Sequence, residues 1–267
     1  MLTSKDQLNR VVTLAGIPKR IISLVPSQTE LLFDLGLEEE VTGITKFCVH
    51  PEHWFRNKSR VGGTKTIKID MIHSLQPDLI IANKEENVKE QIHLLEKIAP
   101  VWISDVNNTE DAFRMIQGLG EITGKEKRSE KMISQIKKDF AALGLLINQS
   151  HFKKYRTAYL IWKDPYMAAG GGTFIHSMLK LSGMENVFSG TDRYPDITTR
   201  ELREKNTELV LLSSEPYPFN QKHIAELLEA LPHAKILLAD GEIFSWYGSR
   251  MLKAASYIKK LIEQIRQ

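Results

Sequence analysis

One short stretch of the chain concentrates the side chains that could do chemistry. Residues 47–54 read FCVHPEHW and contain the only cysteine of the sequence, with two histidines close by. If this stretch is extended, Cys48 and His50 point to the same side and can face one cavity. Three interpretations follow: a thiolate nucleophile with its base, a metal site, or one wall of a ligand pocket.

A metal site would need more ligands than this stretch offers. Structural zinc sites use four protein ligands, whereas only Cys48 and His50 are well placed, because His53 lies beyond Pro51. A single cysteine also excludes an intrachain disulfide and any multi-cysteine metal centre. A metal site built from this stretch alone is therefore disfavoured, and a nucleophile is disfavoured further, while Cys48 and His50 remain candidate metal ligands.

Composition narrows the class of protein. A chain of 267 residues can form two modest lobes or one large α/β domain. The net charge is +3 with acids and bases interspersed, which argues against nucleic acid or a membrane surface as the partner. Residues 1–20 lack the apolar run of a signal peptide, so we expect either a cytoplasmic protein or one whose export signal has been removed.

Apolar, β-rich runs alternate with helical segments in both halves of the chain. The predicted strands are 20–25, 41–45, 78–82, 101–104, 156–162, 208–213 and 235–240. Strands that alternate with helices at this spacing predict parallel sheets. The first helix is expected over 26–36, with Ser27 or Thr29 as its N-cap and Gly36 at its end.

A longer segment separates the two halves. Residues 123–154 contain no proline and place apolar side chains at helical spacing, which predicts a helix of about 24 residues, or ~36 Å. We therefore predict three parts: an N-terminal α/β lobe over 1–122, a connecting helix over 123–154, and a C-terminal α/β lobe over 155–267. The motif GGGT at 170–173 opens a helix but lacks the lysine of a P-loop, so we expect a flexible turn there.

An ordered series of segments resembles the class III solute-binding proteins of ABC importers, especially the cobalamin and ferric-siderophore branch. The resemblance is strong over residues 20–122, which include VGGTKTIKIDMIHSLQPDLIIA, and weaker over 170–188, 194–202 and 245–250. It implies an α/β fold of two Rossmann-like lobes with parallel sheets, joined by one long backbone helix. Ligand would lie in the cleft between the lobes, against loops at the carboxyl ends of the strands.

The resemblance also implies a set of ligand-binding residues. These are Pro26, Phe47, Cys48, His50, Thr64, Lys65, Asn83, Trp162, Tyr166, Tyr194, Trp246, Tyr247 and Arg250. The aromatic residues could stack on a flat ligand, and Arg250 could bind its anionic groups. Thr64 and Asn83 stand where the cobalamin receptors carry tryptophans. The implied ligand is therefore a bulky metal chelate in general: a corrinoid, a haem or an iron chelate.

The same resemblance implies partners and a mode of action. Asp70 and Glu201 match the acidic residues through which such proteins dock on permease arginines. The chain would act as a monomer, without a tightly bound cofactor and without catalysis, in the periplasm or cell envelope. Two alternatives stay open: a cytoplasmic metal- or cofactor-binding carrier of the same fold, and an enzyme that uses Cys48 with His50.

Overall fold

The chain folds into two compact units. The computed structural model describes residues 1–267. Unit 1 comprises Met1–Val106, Glu110–Gln135 and Tyr247–Arg250. Unit 2 comprises Asn107–Thr109, Ile136–Trp246 and Met251–Gln267. No helix combines the length and the apolar character that crossing a bilayer requires.

Helices and strands alternate through the first half of the chain. The strands are β1 (Leu2–Lys5), β2 (Val11–Leu14), β3 (Ile21–Ser23), β4 (Val41–Ile44), β5 (Ser59–Arg60), β6 (Leu79–Asn83) and β7 (Val101–Ser104). The helices are α1 (Pro26–Asp34), α2 (Glu52–Asn57), α3 (Ile69–Ser74), α4 (Lys89–Leu95), α5 (Thr109–Ile122) and α6 (Glu126–Gln149).

Unit 1 is built on a five-stranded sheet with the order β5-β4-β3-β6-β7. All of its strand pairs are parallel, as the sequence predicts. The strands are almost continuously apolar because both faces of a parallel sheet are covered; all of β6, for example, is buried. The antiparallel hairpin of β1 and β2 forms a separate sheet that the sequence analysis did not predict.

The second half of the chain repeats the alternation. Its strands are β8 (Arg156–Trp162), β9 (Tyr166–Ala168), β10 (Glu185–Asn186), β11 (Asp196–Ile197), β12 (Leu209–Ser213) and β13 (Lys235–Ala239). Its helices are α7 (Phe174–Leu181), α8 (Thr199–Glu204), α9 (Gln221–Ala230), α10 (Gly241–Ser245) and α11 (Met251–Arg266).

The unit 2 sheet is mixed. Its order is β11-β9-β8-β12-β13, with β10 also paired to β8. Strands β8, β12, β13 and β10 are mutually parallel where they pair. Strands β9 and β11 are antiparallel additions, because a tight turn after Trp162 reverses the chain directly instead of crossing over through a helix. The sheet therefore retains a parallel centre with an antiparallel edge.

Helix α6 confirms the long helix that the sequence predicts. It runs for 24 residues and buries an apolar face that includes Met132, Ile136, Phe140 and Leu143. The predicted cap of α1 is wrong. Val25 is the N-cap, and Pro26 takes the first helical position. Thr29 lies inside the helix, where its hydroxyl donates to the Val25 carbonyl and does not cap the helix.

Other backbone lies against the GGGT motif. A Cβ on Gly170 would lie 2.2 Å from the Thr191 carbonyl oxygen, and one on Gly171 would lie 2.3 Å from that of Ser189. Thr173 then caps α7 by accepting a hydrogen bond from the His176 amide. The glycines therefore serve close packing, and the flexibility expected of this turn stays a prediction.

Two glycine-to-alanine changes should have opposite effects on stability. Gly170→Ala should lower the free energy of unfolding by about 1–3 kcal/mol, because the added methyl group meets fixed backbone. Gly144→Ala, in the interior of α6 with no atom within 4 Å of the place its methyl group would take, should raise it by about 0.5–1 kcal/mol. Urea titrations followed by circular dichroism measure both, and a destabilised Gly144→Ala would contradict this account of α6.

Candidate functional site

Loops that follow parallel strands collect at one edge of each sheet. In unit 1 the loops after β3, β4, β5, β6 and β7 form what we call the unit 1 edge, residues 24–26, 45–50, 61–66, 84–88 and 105–106. In unit 2 the loops after β8, β12 and β13 form the unit 2 edge, residues 162–166, 214–220 and 240. Open α/β sheets carry their ligand sites at such edges.

A network of buried amides holds the unit 1 edge in place. Asn83 Nδ2 lies 3.0 Å from Ser104 Oγ, and Asn83 Oδ1 accepts from the backbone amides of Glu85 and Glu86. Asn87 Oδ1 accepts from the Asn83 amide at 2.8 Å, and Asn87 Nδ2 donates to the Thr64 carbonyl at 2.9 Å. Asn83 is only 3% exposed, so its side chain holds the loops in place from the interior of the unit.

Phe47 is the large apolar side chain that the unit 1 edge presents to solvent. It is 50% exposed, and the Lys46 ammonium lies 5.0 Å from the centre of its ring. Val49, two residues on, is also exposed. An aromatic ring of this size is normally buried, so its exposure marks a candidate contact surface.

Cys48 lies inside the unit and not on its surface. Residues 46–48 form a turn in which the Cys48 amide donates to the Thr45 carbonyl. The stretch is therefore not extended, and the alternation that would point Cys48 and His50 to the same side does not apply. The thiol sulfur lies 3.1 Å from the hydroxyl oxygens of both Thr29 and Thr45. Burial raises the pKa of the thiol to about 11. A protonated, buried thiol is suited to packing and unsuited to attack on a substrate.

The other predicted residues of unit 1 lie at or near the same edge. Pro26 begins α1, and His50, like Thr64, is half-buried in a loop after a strand. Lys65 is exposed at the tip of the turn that follows β5. No group of three His, Cys, Asp or Glu side chains that could hold a metal ion is present, and the metal role of His50 and Cys48 stays a prediction.

The segment Tyr247–Arg250 packs within unit 1 through polar contacts. Arg250 Nε donates to Glu30 Oε2 at 2.9 Å, and both side chains are 9% exposed. The Tyr247 hydroxyl donates to Glu86 Oε1 at 3.1 Å. Gly248 has a φ of +118° and lies close to α1, since a Cβ added there would be 3.4 Å from Leu31 Cβ. Tyr247 and Arg250 thus fix this segment to α1 and the loop after β6.

Trp162 is the exposed aromatic residue of the unit 2 edge. It ends β8, is 40% exposed, and packs edge-to-face on Tyr217 with ring centres 5.6 Å apart. Tyr166, half-buried, begins β9 after the same turn, and Tyr194, also half-buried, lies just before β11. The structure thus gathers Trp162 and Tyr166 at one turn.

Trp246 is predicted to contact ligand but is 7% exposed. Its indole Nε1 donates to Glu215 Oε1 at 2.8 Å, and the Ser245 hydroxyl donates to the same oxygen at 2.9 Å. Burial raises the pKa of the Glu215 carboxyl, in part offset by these donors. Trp246 is therefore held in unit 2 by a half-buried acid.

Sequence reasoning missed the acidic partners of three predicted residues. Glu30, Glu86 and Glu215 accept hydrogen bonds from Arg250, Tyr247 and Trp246 respectively. Glu30 carried a usable signal, because a carboxylate on a helix that packs against a central strand needs a buried partner. The partner itself lies 220 residues further along the chain, where no local pattern reveals it.

Cys48 should be unreactive in the folded protein. With a pKa of about 11, only about one thiol in a thousand is ionised at pH 8, and the sulfur is inaccessible. Iodoacetamide followed by mass spectrometry should show negligible alkylation in buffer and complete alkylation in guanidinium chloride. Rapid alkylation of the native protein would contradict the buried position and revive the nucleophile interpretation.

Removal of one partner from the buried Glu30–Arg250 pair should be costly. Glu30→Gln removes the charge of one partner of a buried, hydrogen-bonded ion pair, so the free energy of unfolding should fall by about 3–5 kcal/mol. Glu204→Gln is the matched control, since the Arg200–Glu204 pair is solvent-exposed and its loss should cost under about 1 kcal/mol. Equal losses in urea titrations of the two variants would show that the buried pair is not a major contact.

Comparison with known proteins agrees with the architecture. The family model described as periplasmic binding protein matches residues 21–235. The vitamin B12-binding protein of Vibrio campbellii is 26% identical over 94% of this chain and 92% of its own length. An uncharacterized ABC transporter substrate-binding lipoprotein of Bacillus subtilis is 21% identical over 99% and 85%. The apo structure of a periplasmic heme-binding protein from Roseiflexus sp. RS-1 superposes with a TM-score of 0.81 at 18% identity, covering 93% of this chain and 99% of that one.

These findings confirm the resemblance and the fold that the sequence predicts. The family model spans most of the chain, from β3 to the first residue of β13, and so includes α6. Members of this family are binding proteins and not enzymes, which removes the alternative of catalysis by Cys48 and His50. The chain belongs to the periplasmic binding protein family, and within it to class III.

Proposed function

We propose that the chain is the substrate-binding component of an ABC importer and that it captures a bulky metal chelate. Its relatives include proteins named for vitamin B12 and for substrate binding in an ABC transporter, and a structural neighbour is named for heme. The candidate ligands are a corrinoid, a haem and a ferric siderophore. This role requires a location outside the cytoplasm, as the family name indicates.

The observation that carries the proposal is the exposure of one aromatic side chain at each sheet edge. Phe47 is 50% exposed at the unit 1 edge, and Trp162 is 40% exposed at the unit 2 edge. Rings held at the carboxyl ends of parallel strands can stack on a flat macrocycle or on aromatic chelating groups. Such stacking would bury apolar area that the free protein leaves in water.

The predicted ligand-binding residues divide into two roles under this proposal. Exposed and half-buried residues contact ligand directly: Pro26, Phe47, His50, Thr64, Lys65, Trp162, Tyr166 and Tyr194. Buried ones hold the loops and the connecting segment in position: Cys48, Asn83, Trp246, Tyr247 and Arg250. This division follows from burial, because a side chain without exposed surface cannot replace its solvent contacts with ligand contacts.

Ligand binding can be tested with the two exposed aromatic residues. Calorimetric titration with haemin, a ferric tris-catecholate and cyanocobalamin should find submicromolar binding of at least one chelate. Phe47→Ala and Trp162→Ala should each weaken that binding by about tenfold or more, which corresponds to about 1.4 kcal/mol of lost stacking.

Leu145→Ala provides the matched control, because Leu145 is 62% exposed on α6 and outside both edges. It should bind each chelate with the affinity of the unaltered protein. Absence of binding for all three chelates would contradict the proposed function. Binding that survives both aromatic changes would place the ligand elsewhere on the molecule.

We further propose Asp70 and Glu201 as the residues that dock the chain on its permease. Asp70 is exposed in the first turn of α3. Glu201 completes a capping box at the start of α8, where its Oε2 accepts from the amide and the hydroxyl of Thr198. These hydrogen bonds lower the pKa of Glu201, so the carboxylate stays charged well below neutral pH.

A substitution at Glu201 can distinguish the effect of its negative charge from its role in the cap of α8. Glu201→Gln keeps a side chain that can complete the capping box, so thermal stability should change little while the charge is lost. Import of radiolabelled chelate into cells that carry the cognate permease should fall at least several-fold for Asp70→Asn and for Glu201→Gln, with ligand affinity unchanged. Normal import by the double variant would rule out these two residues as docking points.

A further inference from the structure

A basic aromatic surface lies on the unit 1 edge. It consists of Lys46, Phe47, Gly63 and Lys65, and we call it the Lys46–Lys65 surface. The Phe47 ring lies against Gly63, because a Cβ added there would be 3.2 Å from Phe47 Cε2 and 3.4 Å from Lys46 Cε. The Lys46 ammonium lies 5.0 Å from the ring centre. A side chain at position 63 would therefore displace both groups.

The turn that carries Lys65 is fixed by its backbone. The Gly63 amide donates to the Thr66 carbonyl at 3.0 Å. Asn87 Nδ2 donates to the Thr64 carbonyl, and Gln91 Nε2 donates to the Lys65 carbonyl at 3.2 Å. The Lys65 side chain is exposed above this anchored backbone. A fixed backbone under a free ammonium group lowers the entropic cost of holding a ligand.

Lys46 and Lys65 differ from Lys84, the lysine of the loop after β6, in their charge partners. Neither makes an ion pair, whereas the neighbouring Lys84 is neutralised by Asp105 at 2.6 Å. At the unit 2 edge, the lysine next to the exposed Trp162 is also neutralised, since Lys163 pairs with Glu226. The ammonium groups of Lys46 and Lys65 are thus available to a ligand, while those near Trp162 and in the loop after β6 are not.

We infer that the Lys46–Lys65 surface binds the negatively charged rim of a metal chelate, and that the protein prefers anionic chelates to corrinoids. This inference rests on the proposed function and narrows its ligand class. The ring of Phe47 would stack on the ligand plane, while the ammonium groups form charge-assisted hydrogen bonds to carboxylate or catecholate oxygens. Cyanocobalamin carries uncharged amides around the edge of its ring, and its one anionic oxygen group is the phosphodiester of the nucleotide tail, which is not part of that edge.

The test compares charged and uncharged chelates on lysine variants. Dissociation constants of haemin, a ferric tris-catecholate and cyanocobalamin are measured at low and at high sodium chloride. Lys46→Gln and Lys65→Gln should each weaken the preferred anionic chelate by about three- to tenfold at low salt. Because exposed charges are screened, the loss should shrink at high salt. Cyanocobalamin should bind more weakly than that chelate and respond to neither variant.

Two control variants distinguish the loss of a local lysine–ligand contact from a change in the net charge of the protein. Lys97→Gln changes the net charge by the same amount. Lys97 is exposed and lies ahead of β7, at the amino end of the sheet, so the Lys97→Gln variant should bind each chelate as the unaltered protein does. Lys46→Arg should retain most of the affinity. Circular dichroism confirms that each variant is folded.

Two results would overturn the inference while leaving the proposed function intact. One is cyanocobalamin binding at least as tightly as both anionic chelates. The other is Lys46→Gln and Lys65→Gln behaving like Lys97→Gln. If none of the three chelates binds, the proposed function fails together with the inference. Tight binding of haemin alone, or of the tris-catecholate alone, identifies the source of the anionic groups.

Discussion

The unit 1 edge depends on one buried amide. Asn83 ends the strand β6, and its side chain joins that strand to Ser104 at the end of β7 and to the amides of the following loop. Asn87 extends the network to the Thr64 carbonyl. Because buried polar groups are costly to leave unpaired, this network restricts several loops to one arrangement. The exposed residues at the edge can therefore be presented in fixed positions before any ligand arrives.

Burial distinguishes the candidate residues that would support the loops from those that could contact a ligand. The thiol of Cys48 and the side chains of Arg250 and Trp246 are enclosed, and each is held by a polar partner. Phe47 and Trp162 stay in water at the edges of their sheets. A binding protein must release its cargo, so a few exposed rings and charges on a rigid base suit the role better than a deep set of covalent or metal bonds.

Sequence patterns predicted the elements better than their long-range contacts. Strands β7 and β8 were predicted with the bounds that the structure shows, because each is an apolar β-rich run between polar residues. The predictions for the cap of α1 and for an extended backbone at Cys48 were wrong, since both depend on local hydrogen bonds that override simple sequence patterns. The Glu30–Arg250 pair joins residues too distant in sequence for any periodic signal.

The most direct test of the binding account is a hydrogen–deuterium exchange footprint of the full chain with and without its tightest-binding chelate. The account predicts slower exchange in residues 45–50 and 62–66 of unit 1 and in residues 162–167 of unit 2, since these segments carry the proposed ligand contacts of each unit. Exchange in the hairpin of β1 and β2 should not change. Protection confined to α6 and α11, with both edges unaffected, would contradict the account.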